Sequence, residues 1–380
     1  MNKAARRPAA QRIVVKVGTR LLTHEGGQLN LIFIERLVRE LADLKNQGRQ
    51  IVLVSSGAIG AGMGRLGLKR RPEAIPELQA AAAVGQGVLI QLYEKLFMEY
   101  GQTVAQLLLT RADFASRGRY LNASNTILTL LRWDVVPVIN ENDTVSVQEI
   151  KLGDNDRLSA LVAGLCDADL LVILTTAAGL YEADPETSPQ ARLISEVYEI
   201  TPEIKRYAAG PGDHLATGGM ITKLQAAEIA TNSGVAMIIA GGKEAGTLHR
   251  ILDGEPLGTY FHPQRRHLNR RKRWIAYGRV IKGSVVVDDG ARKALCGAGK
   301  SLLPVGVLEV KGSFKKGALI AVCDRQGREI GRGLSNFSSR ELSLIRRRSS
   351  CDIIPLIGRE ADDEVIHRDN LIVYHCHQGG

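Results

Sequence analysis

Aromatic residues are scarce in this 380-residue sequence, where they make up 4% of the chain. Proteins that bind nucleic acid by stacking bases need many aromatic rings, so this composition argues against a chain built on stacking throughout. The five cysteines are scattered and form no CxxC pair, which favours a reduced intracellular protein over a disulfide scaffold. No long apolar span is present, so we expect neither a signal peptide nor a membrane helix, and we expect a cytoplasmic location.

Positive charge is present but unevenly distributed. The net charge is +10, and from Tyr260 onward there are 23 Lys and Arg residues against 12 Asp and Glu. The preceding part of the chain is nearly neutral. This asymmetry predicts two domains with different partners, and RNA binding by the basic last third is one hypothesis for the second of them.

The first 260 residues alternate short apolar runs with longer amphipathic stretches. The runs that predict strands are 12–18, 50–57, 103–110, 135–140, 169–176 and 235–242. Continuous apolar runs are typical of strands covered on both faces. The alternation predicts an α/β fold with a mainly parallel sheet sandwiched between helices, and ligands of such sheets bind at the carboxyl ends of the strands.

The alternation stops near Pro263, where a dense basic cluster begins. Beyond it, short strands separated by glycine turns predict a small, mostly β domain, and "NLIVYH" near the end predicts one more strand. The predicted divisions are a first domain at 1–262, a linker at 263–280, the small β domain at 281–360 and a C-terminal tail at 361–380.

Two glycine-rich stretches resemble phosphate-binding loops but do not fit them. "GMGRLG" at 62–67 starts eight residues after Val54, where the apolar run of the second predicted strand ends, whereas a dinucleotide loop joins strand to helix directly. "GAGKS" at 297–301 lacks the first glycine of a Walker A motif and lies in the predicted β domain. Neither predicts a nucleotide site.

Other candidates for anion binding follow the strands themselves. Lys16, in "KVGT", either extends outward past the sheet or places a cation over an anion, with Gly18 letting backbone N–H groups approach. "SSGAIGAG", after the second strand, is either a flexible turn or a set of backbone donors. "TGGMITK" at 217–223 is either an ordinary helix start or a phosphate site, in which glycines expose N–H groups and Lys223 adds a charge.

Two acidic and amide-rich stretches allow several interpretations. "INEND" at 139–143 is either a turn or a strand-end cluster that binds a charged ligand. "GDND" at 153–156 fits a metal loop, a helix cap or a substrate clamp. A calcium loop needs an oxygen ligand at its fifth position, which is Leu158, so that interpretation fails. Asp154 is a good N-cap for a helix that runs through Leu165.

These motifs, in this order, resemble the bacterial glutamate 5-kinase branch of the amino-acid kinase family. The quoted blocks "VVKVGT", "SSGAIGAG", "PVINENDTV", "KLGDNDRLSA" and "ATGGMITKLQAA" carry the resemblance, which runs from about Arg12 to beyond His367. The C-terminal part resembles the PUA domain. The resemblance implies the amino-acid kinase fold and ATP-dependent phosphorylation of the γ-carboxylate of L-glutamate, the first step of proline biosynthesis.

The resemblance also implies roles for individual residues. Lys16, Lys223 and Asp156 would be catalytic, with Asp156 orienting the two lysines. The implied glutamate-binding residues are Ser56, Asp143, Asn155 and Asn140. The implied ATP-binding residues are Lys16, Thr175, Thr176, Thr217, Gly218, Gly219, Met220, Ile221, Thr222 and Lys223. Mg²⁺ would bridge the nucleotide phosphates, and no protein metal ligands are expected.

Thr176 departs from the family pattern, which commonly has an aspartate there. A hydroxyl cannot supply that charge, so the nucleotide contact at Thr176 is in doubt. The resemblance also implies a homo-oligomer, dimer or tetramer, and feedback inhibition by proline. Two alternatives stay open at this point: a kinase of the same fold acting on another small amino acid, and an RNA-binding or RNA-modifying protein.

Overall fold

The computed structural model describes residues 10–24, 27–145, 155–185, 187–188, 190–208, 219–264, 275, 281–349, 353–357 and 363–374. The chain divides into two compact units. Residues 1–110 and 121–267 form the first, and residues 111–120 and 268–380 form the second. The sequence did not anticipate that 111–120 would group with the second unit. The predicted domain boundaries and linker stay predictions, since most of 263–280 lies outside the described residues.

A mainly parallel sheet organises the first unit. Its strands are β1 (Arg12–Val17), β2 (Gln50–Val54), β3 (Val104–Leu109), β4 (Val136–Glu141), β5 (Leu170–Thr175), β6 (Glu196–Val197), β7 (Ala236–Gly241) and β8 (Thr259–Phe261). Their order is β3-β4-β2-β1-β5-β7-β8-β6. All neighbouring pairs are parallel except β7 and β8. The predicted fold class is confirmed.

Helices cover this sheet. They are α1 (Thr19–Leu22), α2 (Leu31–Asn46), α3 (Ala58–Leu66), α4 (Ile75–Met98), α6 (Arg117–Arg132), α7 (Asn155–Leu165), α8 (Pro202–Ala208), α9 (Met220–Asn232) and α10 (Thr247–Leu252), whereas α5 (Arg111–Ala115) lies in the segment that groups with the second unit. The side chain of Asn30 caps α2 by accepting from Phe33 N. Gly48 follows the end of α2 at φ +87°, a left-handed conformation that glycine adopts without a Cβ penalty.

The six predicted strands are confirmed to within a few residues at each end. Their side chains are buried almost without interruption in β1, β2, β4, β5 and β7, as expected of strands covered on both faces. The sequence missed β6 and β8, which have two and three residues. Strands this short carry too few residues to show a period.

The second unit contains a smaller, five-stranded sheet. Its strands are β9 (Gly283–Val287), β10 (Val307–Lys311), β11 (Leu319–Cys323), β12 (Glu329–Leu334) and β13 (Leu371–Val373), in the order β10-β9-β11-β12-β13. Only β9 and β11 pair in parallel. Strand β13 comes from the segment predicted as a tail and pairs with β12, because its apolar side chains pack into the core of this unit.

Between residue 281 and the end of the described part of the chain, the α-helices are α11 (Asp289–Ala298), α12 (Ser339–Ile345) and α13 (Ile353–Ile357). The sequence suggested a strand through "GSVVVDDGARKAL", but the strand ends at Val287. Asp288 then caps α11, with Oδ1 accepting from Ala291 N at 2.7 Å. The N-cap carboxylate of Asp288 therefore ends the strand and starts the helix at this point, although the preceding residues are β-branched.

The cysteines depart in one respect from the sequence interpretation. Cys166 and Cys323 are free, as expected of a reduced protein. Cys296, on α11, is disulfide-bonded, which the spacing of the cysteines did not predict. Within the described ranges, no helix combines the length and apolar composition needed to cross a membrane.

Candidate active site

Buried polar residues gather at the carboxyl ends of β1, β2 and β4. Strand β1 lies between β2 and β5, with Lys16 opposite Val54 on one side and Ile173 on the other. The ladder continues past β2, where Ser55 N donates to Ile139 O. Helix α7 packs against β1, β2 and β4, so its first residues, Asn155 and Asp156, reach this edge of the sheet. The parallel arrangement thus brings together residues far apart in sequence.

Two lysines share one aspartate at the centre of the cluster. Lys16 Nζ lies 2.5 Å from Asp156 Oδ1, and Lys223 Nζ lies 3.1 Å from Asp156 Oδ2. All three residues are buried: Lys16 is 6% exposed, Lys223 is 8% exposed and Asp156 is 3% exposed. Asp156 contacts both lysines, as the sequence predicted. A net positive charge is therefore held at a buried strand end, where an anion would be attracted.

The ionised form of Asp156 is favoured. Burial acts to raise the pKa of this carboxyl, but the charges and hydrogen bonds of Lys16 and Lys223 outweigh it, so the pKa lies below its ordinary value. Asp156 also lies in the first turn of α7, where the helix dipole favours a negative charge. The carboxylate serves the two lysines, and it has little capacity left for a metal ion.

Asn155 has one half of its carboxamide satisfied and the other half unsatisfied. Its Nδ2 donates to Ser55 O, Ser56 Oγ and Asn140 Oδ1 at 3.0, 3.0 and 2.9 Å. Its Oδ1 is buried without a hydrogen-bond partner. A buried unsatisfied acceptor is costly, and one aimed at a cluster of this kind indicates a ligand that donates a hydrogen bond. Ser56 and Asn140 are both predicted site residues.

Other buried amide oxygens lack partners, but not at this edge. Among the described residues they are Gln102 Oε1 and Asn370 Oδ1. Gln102 precedes β3 at the opposite, amino end of the sheet, and Asn370 precedes β13 in the second unit. Of these three unsatisfied amide oxygens, Asn155 Oδ1 is therefore the one whose residue neighbours the aspartate that holds the lysine pair.

Asn140 is held in turn by a glutamine that the sequence did not single out. Asn140 Nδ2 donates to Gln86 Oε1 at 3.2 Å, and Gln86 Nε2 donates to Glu141 O at 3.1 Å. Gln86 lies in the middle of α4 and is 6% exposed. Tyr93 lies two turns after Gln86 on the same face of α4, and its Oη is 2.9 Å from Ser55 Oγ. Burial raises the pKa of Tyr93 to about 12, so the phenol stays neutral.

The start of α9 faces the same aspartate. Gly219 is the N-cap and supplies no side-chain acceptor, so the first N–H groups of the helix lack a side-chain cap. Thr222 Oγ1 lies 2.9 Å from both Asp156 Oδ2 and Gly219 O. Met220 and Ile221 form the first turn with it. Thr217 and Gly218 lie outside the described residues, as does Asp154, the predicted cap of α7.

The remaining predicted residues also lie at strand ends. Thr175 ends β5, and its carbonyl accepts from Gly242 N. Thr176 follows it and is exposed. Asp143 lies in the turn after β4 and is half-buried. All three lie at the carboxyl edge of the sheet, where the sequence placed them.

The glycines of "SSGAIGAG" have a different use from the one expected. Gly57 takes a left-handed conformation, φ +88°, and α3 begins directly after it. A Cβ on Gly62 would lie 1.8 Å from Ala81 O, and one on Gly85 would lie 1.7 Å from Ala58 O. These glycines therefore allow the backbones of α3 and α4 to touch, and Gly62 lies inside a helix instead of in a phosphate loop.

Gly18 also differs from the expectation. Its own N–H donates to Leu174 O at 3.2 Å, so this donor is used by the sheet. Its φ is −77°, and an added Cβ would meet nothing closer than Leu174 O at 3.7 Å and Lys16 Nζ at 3.8 Å. Neither the backbone conformation nor the packing of the protein requires a glycine here. A Cβ at position 18 would fit beside Lys16 Nζ without a clash.

The profile of the amino acid kinase family matches residues 11–241, which include this entire cluster. The chain belongs to the amino acid kinase family. A PUA domain profile matches residues 283–357, in the second unit of this amino acid kinase.

Curated relatives of this amino acid kinase match nearly its whole length. A protein of Moorella thermoacetica named glutamate 5-kinase is 55% identical over 364 residues, 96% of each chain. Proteins of the same name from Caldanaerobacter subterraneus and Methylibium petroleiphilum are 54% and 53% identical, over 95% and 96% of this chain and 97% and 98% of theirs. Among solved structures, carbamate kinase from Giardia lamblia is 20% identical, and the match covers 67% of this chain and 99% of that one. The TM-score of 0.48 indicates a weak structural similarity.

Sequence reasoning missed three supporting residues of this amino acid kinase: Gln86, Ser55 and Tyr93. Gln86 and Tyr93 lie on α4, where a helix rich in alanine and glycine has no strand-end signal. Their separation of seven residues places them on one helix face, which is the only pattern that links them. Ser55 stands beside Ser56 in the quoted motif, and nothing in the sequence distinguished the two hydroxyls.

Proposed function

We propose that this chain transfers the γ-phosphoryl group of ATP to the γ-carboxylate of L-glutamate, forming L-glutamyl 5-phosphate in the first step of proline biosynthesis. The observation that carries the proposal is the pair of buried lysines held by Asp156 beside the unsatisfied oxygen of Asn155. The relatives named glutamate 5-kinase, at 50–55% identity, support the choice of substrate.

Catalysis here depends on position and charge. An ionised carboxylate is already a nucleophile, so no general base is required. A γ-carboxylate oxygen attacks the γ-phosphorus, an O–P bond forms, and the bond to the bridging oxygen breaks, so that ADP leaves with the electron pair. Lys16 and Lys223 neutralise charge on the transferring group. A lysine about 4 Å from a phosphate oxygen contributes roughly 4 kcal/mol at an effective dielectric near 20.

The amino acid binds at the ends of β2 and β4. Asn155 Oδ1 accepts a hydrogen bond from the ammonium group, which satisfies the one open position of its carboxamide. Ser56 contributes a hydroxyl, and Asn140 fixes Asn155. Asp143, in the turn after β4, adds a negative charge for the ammonium group. This arrangement requires a free amino acid, because acetylation removes the ammonium charge.

The nucleotide phosphates bind at the start of α9. Residues 219–223 present backbone N–H groups at a helix N-terminus and end with the amine of Lys223. Thr175 and Thr176, at the end of β5, contact the rest of the nucleotide. The described residues do not fit a protein-held Mg²⁺, because Asp156 is committed to two lysines and no group of three or more acidic, His or Cys side chains could hold a metal. Mg²⁺ would arrive coordinated by the nucleotide phosphates.

Trapping the acyl phosphate with hydroxylamine tests the proposal. The protein, incubated with ATP, Mg²⁺, glutamate and hydroxylamine, should form a hydroxamate in a glutamate-dependent reaction. N-acetylglutamate in place of glutamate should give none. A hydroxamate formed only from N-acetylglutamate would assign the chain to another small-acid kinase.

A lysine variant tests the assigned role of α9. Lys223→Ala should lower kcat by at least about 100-fold, because one of the two charges on the transferring group is lost. Lys205→Ala is the matched control, since Lys205 on α8 also pairs with a carboxylate, Glu228, but at an exposed site. Full turnover in Lys223→Ala would overturn the role of Lys223.

Three properties complete the proposal: a cytoplasmic location, a homo-oligomer and inhibition by proline. Light scattering would give the oligomeric state, dimer or tetramer, and the hydroxamate assay with added proline would measure inhibition. RNA binding is not favoured, because the relatives named glutamate 5-kinase match nearly the whole chain. Of the two basic segments that motivated the RNA hypothesis, 265–273 lies outside the described residues, and 346–348 is exposed.

A further inference from the structure

The direction of each carboxamide in the cluster is set by backbone groups that have only one possible role. A backbone N–H can only donate a hydrogen bond, and a carbonyl can only accept one. Glu141 presents both: its N–H donates to Asn140 Oδ1 at 2.8 Å, and its carbonyl accepts from Gln86 Nε2 at 3.1 Å. These two contacts fix which end of each amide faces Glu141.

The remaining contacts then follow in one order. Since Gln86 Nε2 faces the Glu141 carbonyl, Gln86 Oε1 is left to accept from Asn140 Nδ2. Asn140 Oδ1 faces the other way and accepts from Asn155 Nδ2. Every donor in this series meets an acceptor, so the series is consistent in a single direction.

A second fixed contact lies at the other side of Asn155. The carbonyl of Ser55 accepts from Asn155 Nδ2 at 3.0 Å. If the Asn155 carboxamide turned over, its oxygen would face both that carbonyl and Asn140 Oδ1, which are acceptors as well. The Asn155 oxygen is therefore the atom left pointing to the ligand, and it has no protein partner.

We infer that Gln86 is a positioning residue for the amino acid substrate, because through Asn140 it holds the Asn155 oxygen, and not its NH₂ group, toward the substrate ammonium. The inference rests on the proposed function, since it takes the ligand at Asn155 to be the ammonium of an amino acid. It adds a specificity role for a residue on α4, a helix that carries no predicted site residue.

The packing of α4 gives Gln86 a fixed position. Gly85 lies directly beside it, and the backbone contact of Gly85 with Ala58 brings α4 against α3. Tyr93, on the same face of α4, reaches Ser55. The helix is thus anchored on both sides of the strand ends that it supports.

The variant Gln86→Leu tests the inference. It removes the acceptor of Asn140 Nδ2. Asn140 then keeps only its bond from Glu141 N, so it holds Asn155 less firmly in the orientation that the ligand needs. The KM for glutamate should rise about tenfold or more, whereas kcat and the KM for ATP should change less than about threefold. Glutarate, which lacks the ammonium group, should compete with glutamate as weakly in the variant as in the unaltered protein.

The ratio between glutamate and glutarate is the readout that a purely structural role would not move. The preference for glutamate should fall about tenfold in Gln86→Leu. If glutamate and glutarate binding weaken by the same factor, or if neither changes, Gln86 does not position Asn155. Gln102→Leu is the matched control: Gln102 is equally buried and donates to Ala42 O and Asn46 Oδ1, away from the site. This control should keep the preference.

The variant Gln86→Glu provides a rescue. A protonated carboxyl has one donor and one acceptor, as the carboxamide has, but an ionised carboxyl has only acceptors and would face the Glu141 carbonyl. The KM for glutamate in Gln86→Glu, relative to the unaltered protein, should therefore fall as pH is lowered. In Gln86→Leu this relative KM should not depend on pH. Parallel profiles for the two variants would contradict the inference.

The unaltered protein separates this inference from the proposed function. If it forms no hydroxamate from glutamate, the proposed function and the role of Gln86 fail together. If it forms hydroxamate normally and Gln86→Leu keeps the preference for glutamate over glutarate, the role of Gln86 alone fails.

Discussion

Buried polar side chains serve different purposes in the two units. In the second unit, the described buried polar side chains are Asp324 and Ser335, and each bonds within its own turn. Asp324 accepts from the backbone of Gln326 and Arg328, and Ser335 bonds with Phe337. Such local bonds hold a β-turn in shape.

In the first unit, some buried hydroxyls also bond within their own helix, but the buried polar groups of the candidate site bond across long sequence separations. Asn155 reaches Ser55 and Ser56, 100 and 99 residues away, and Lys223 reaches Asp156, 67 residues away. One of these groups, Asn155 Oδ1, stays unsatisfied. A buried polar group that completes its bonds locally supports the fold, whereas a long-range cluster with an open acceptor indicates a ligand site.

The largest expected effect compares two buried aspartates. Asp156→Asn removes the countercharge of Lys16 and Lys223, so kcat/KM should fall about 10²-fold or more in the hydroxamate assay. Asp324→Asn removes an aspartate of equal burial whose partners are local, and activity should stay within about twofold. Similar losses of activity in both variants would show that the buried aspartates of the two units do not differ in function.

A smaller effect is expected at tightly packed glycines. Gly85→Ala forces a Cβ against Ala58 O, so it should destabilise the protein by about 1–3 kcal/mol and also raise the KM for glutamate. In the second unit, the Cβ of Gly333→Ala would lie 2.5 Å from Ile366 Cγ2 and 2.6 Å from Asn370 O, a smaller overlap than the 1.7 Å contact at Gly85, so this variant should destabilise without changing KM. Gly87, on the same helix as Gly85, has open space around it, and Gly87→Ala should stabilise by about 0.5–1 kcal/mol. Urea unfolding measures the change in the free energy of unfolding of the three variants, and the hydroxamate assay measures their KM for glutamate.

The acid dependence of stability should distinguish Asp156 as well. Its folded-state pKa is depressed, so its stabilisation is present above the unfolded value of about 4 and is lost as pH falls through the folded pKa. The free energy of unfolding should therefore fall more steeply below pH ~4 in the unaltered protein than in Asp156→Asn. Parallel pH curves would show that the lysine pair does not hold this carboxyl ionised.

The smallest effect is expected at Thr176, which is exposed and lies at the end of β5. Thr176→Asp restores the residue that the family commonly has there, and it should change the KM for ATP by less than about threefold, with the KM for glutamate unaffected. A change in the glutamate KM of equal size would show that this position belongs to the amino acid site.

Much of the fold was predictable because its signals are local. Each of the six long strands is a continuous apolar run, and these runs alone predict a covered parallel sheet with a site at its carboxyl edge. The short strands β6 and β8 were missed because pairing with neighbours, and not a residue pattern, defines them. The use of the glycines in α3 and α4 was also missed, since only the crossing of two helices shows that a Cβ has no space.

The sequence by itself determined which polar and charged groups are candidates for the site: Lys16 in β1, the Asn155–Asp156 pair in the segment after β4, and Lys223 after a glycine pair. It could not determine the direction in which a carboxamide points. That direction depends on donors and acceptors from β2, β4 and α4, which only the tertiary structure brings within 3 Å or so of one another. The recruitment of Gln86, and with it the open oxygen of Asn155, was therefore decided by the packing of α4 against the strand ends.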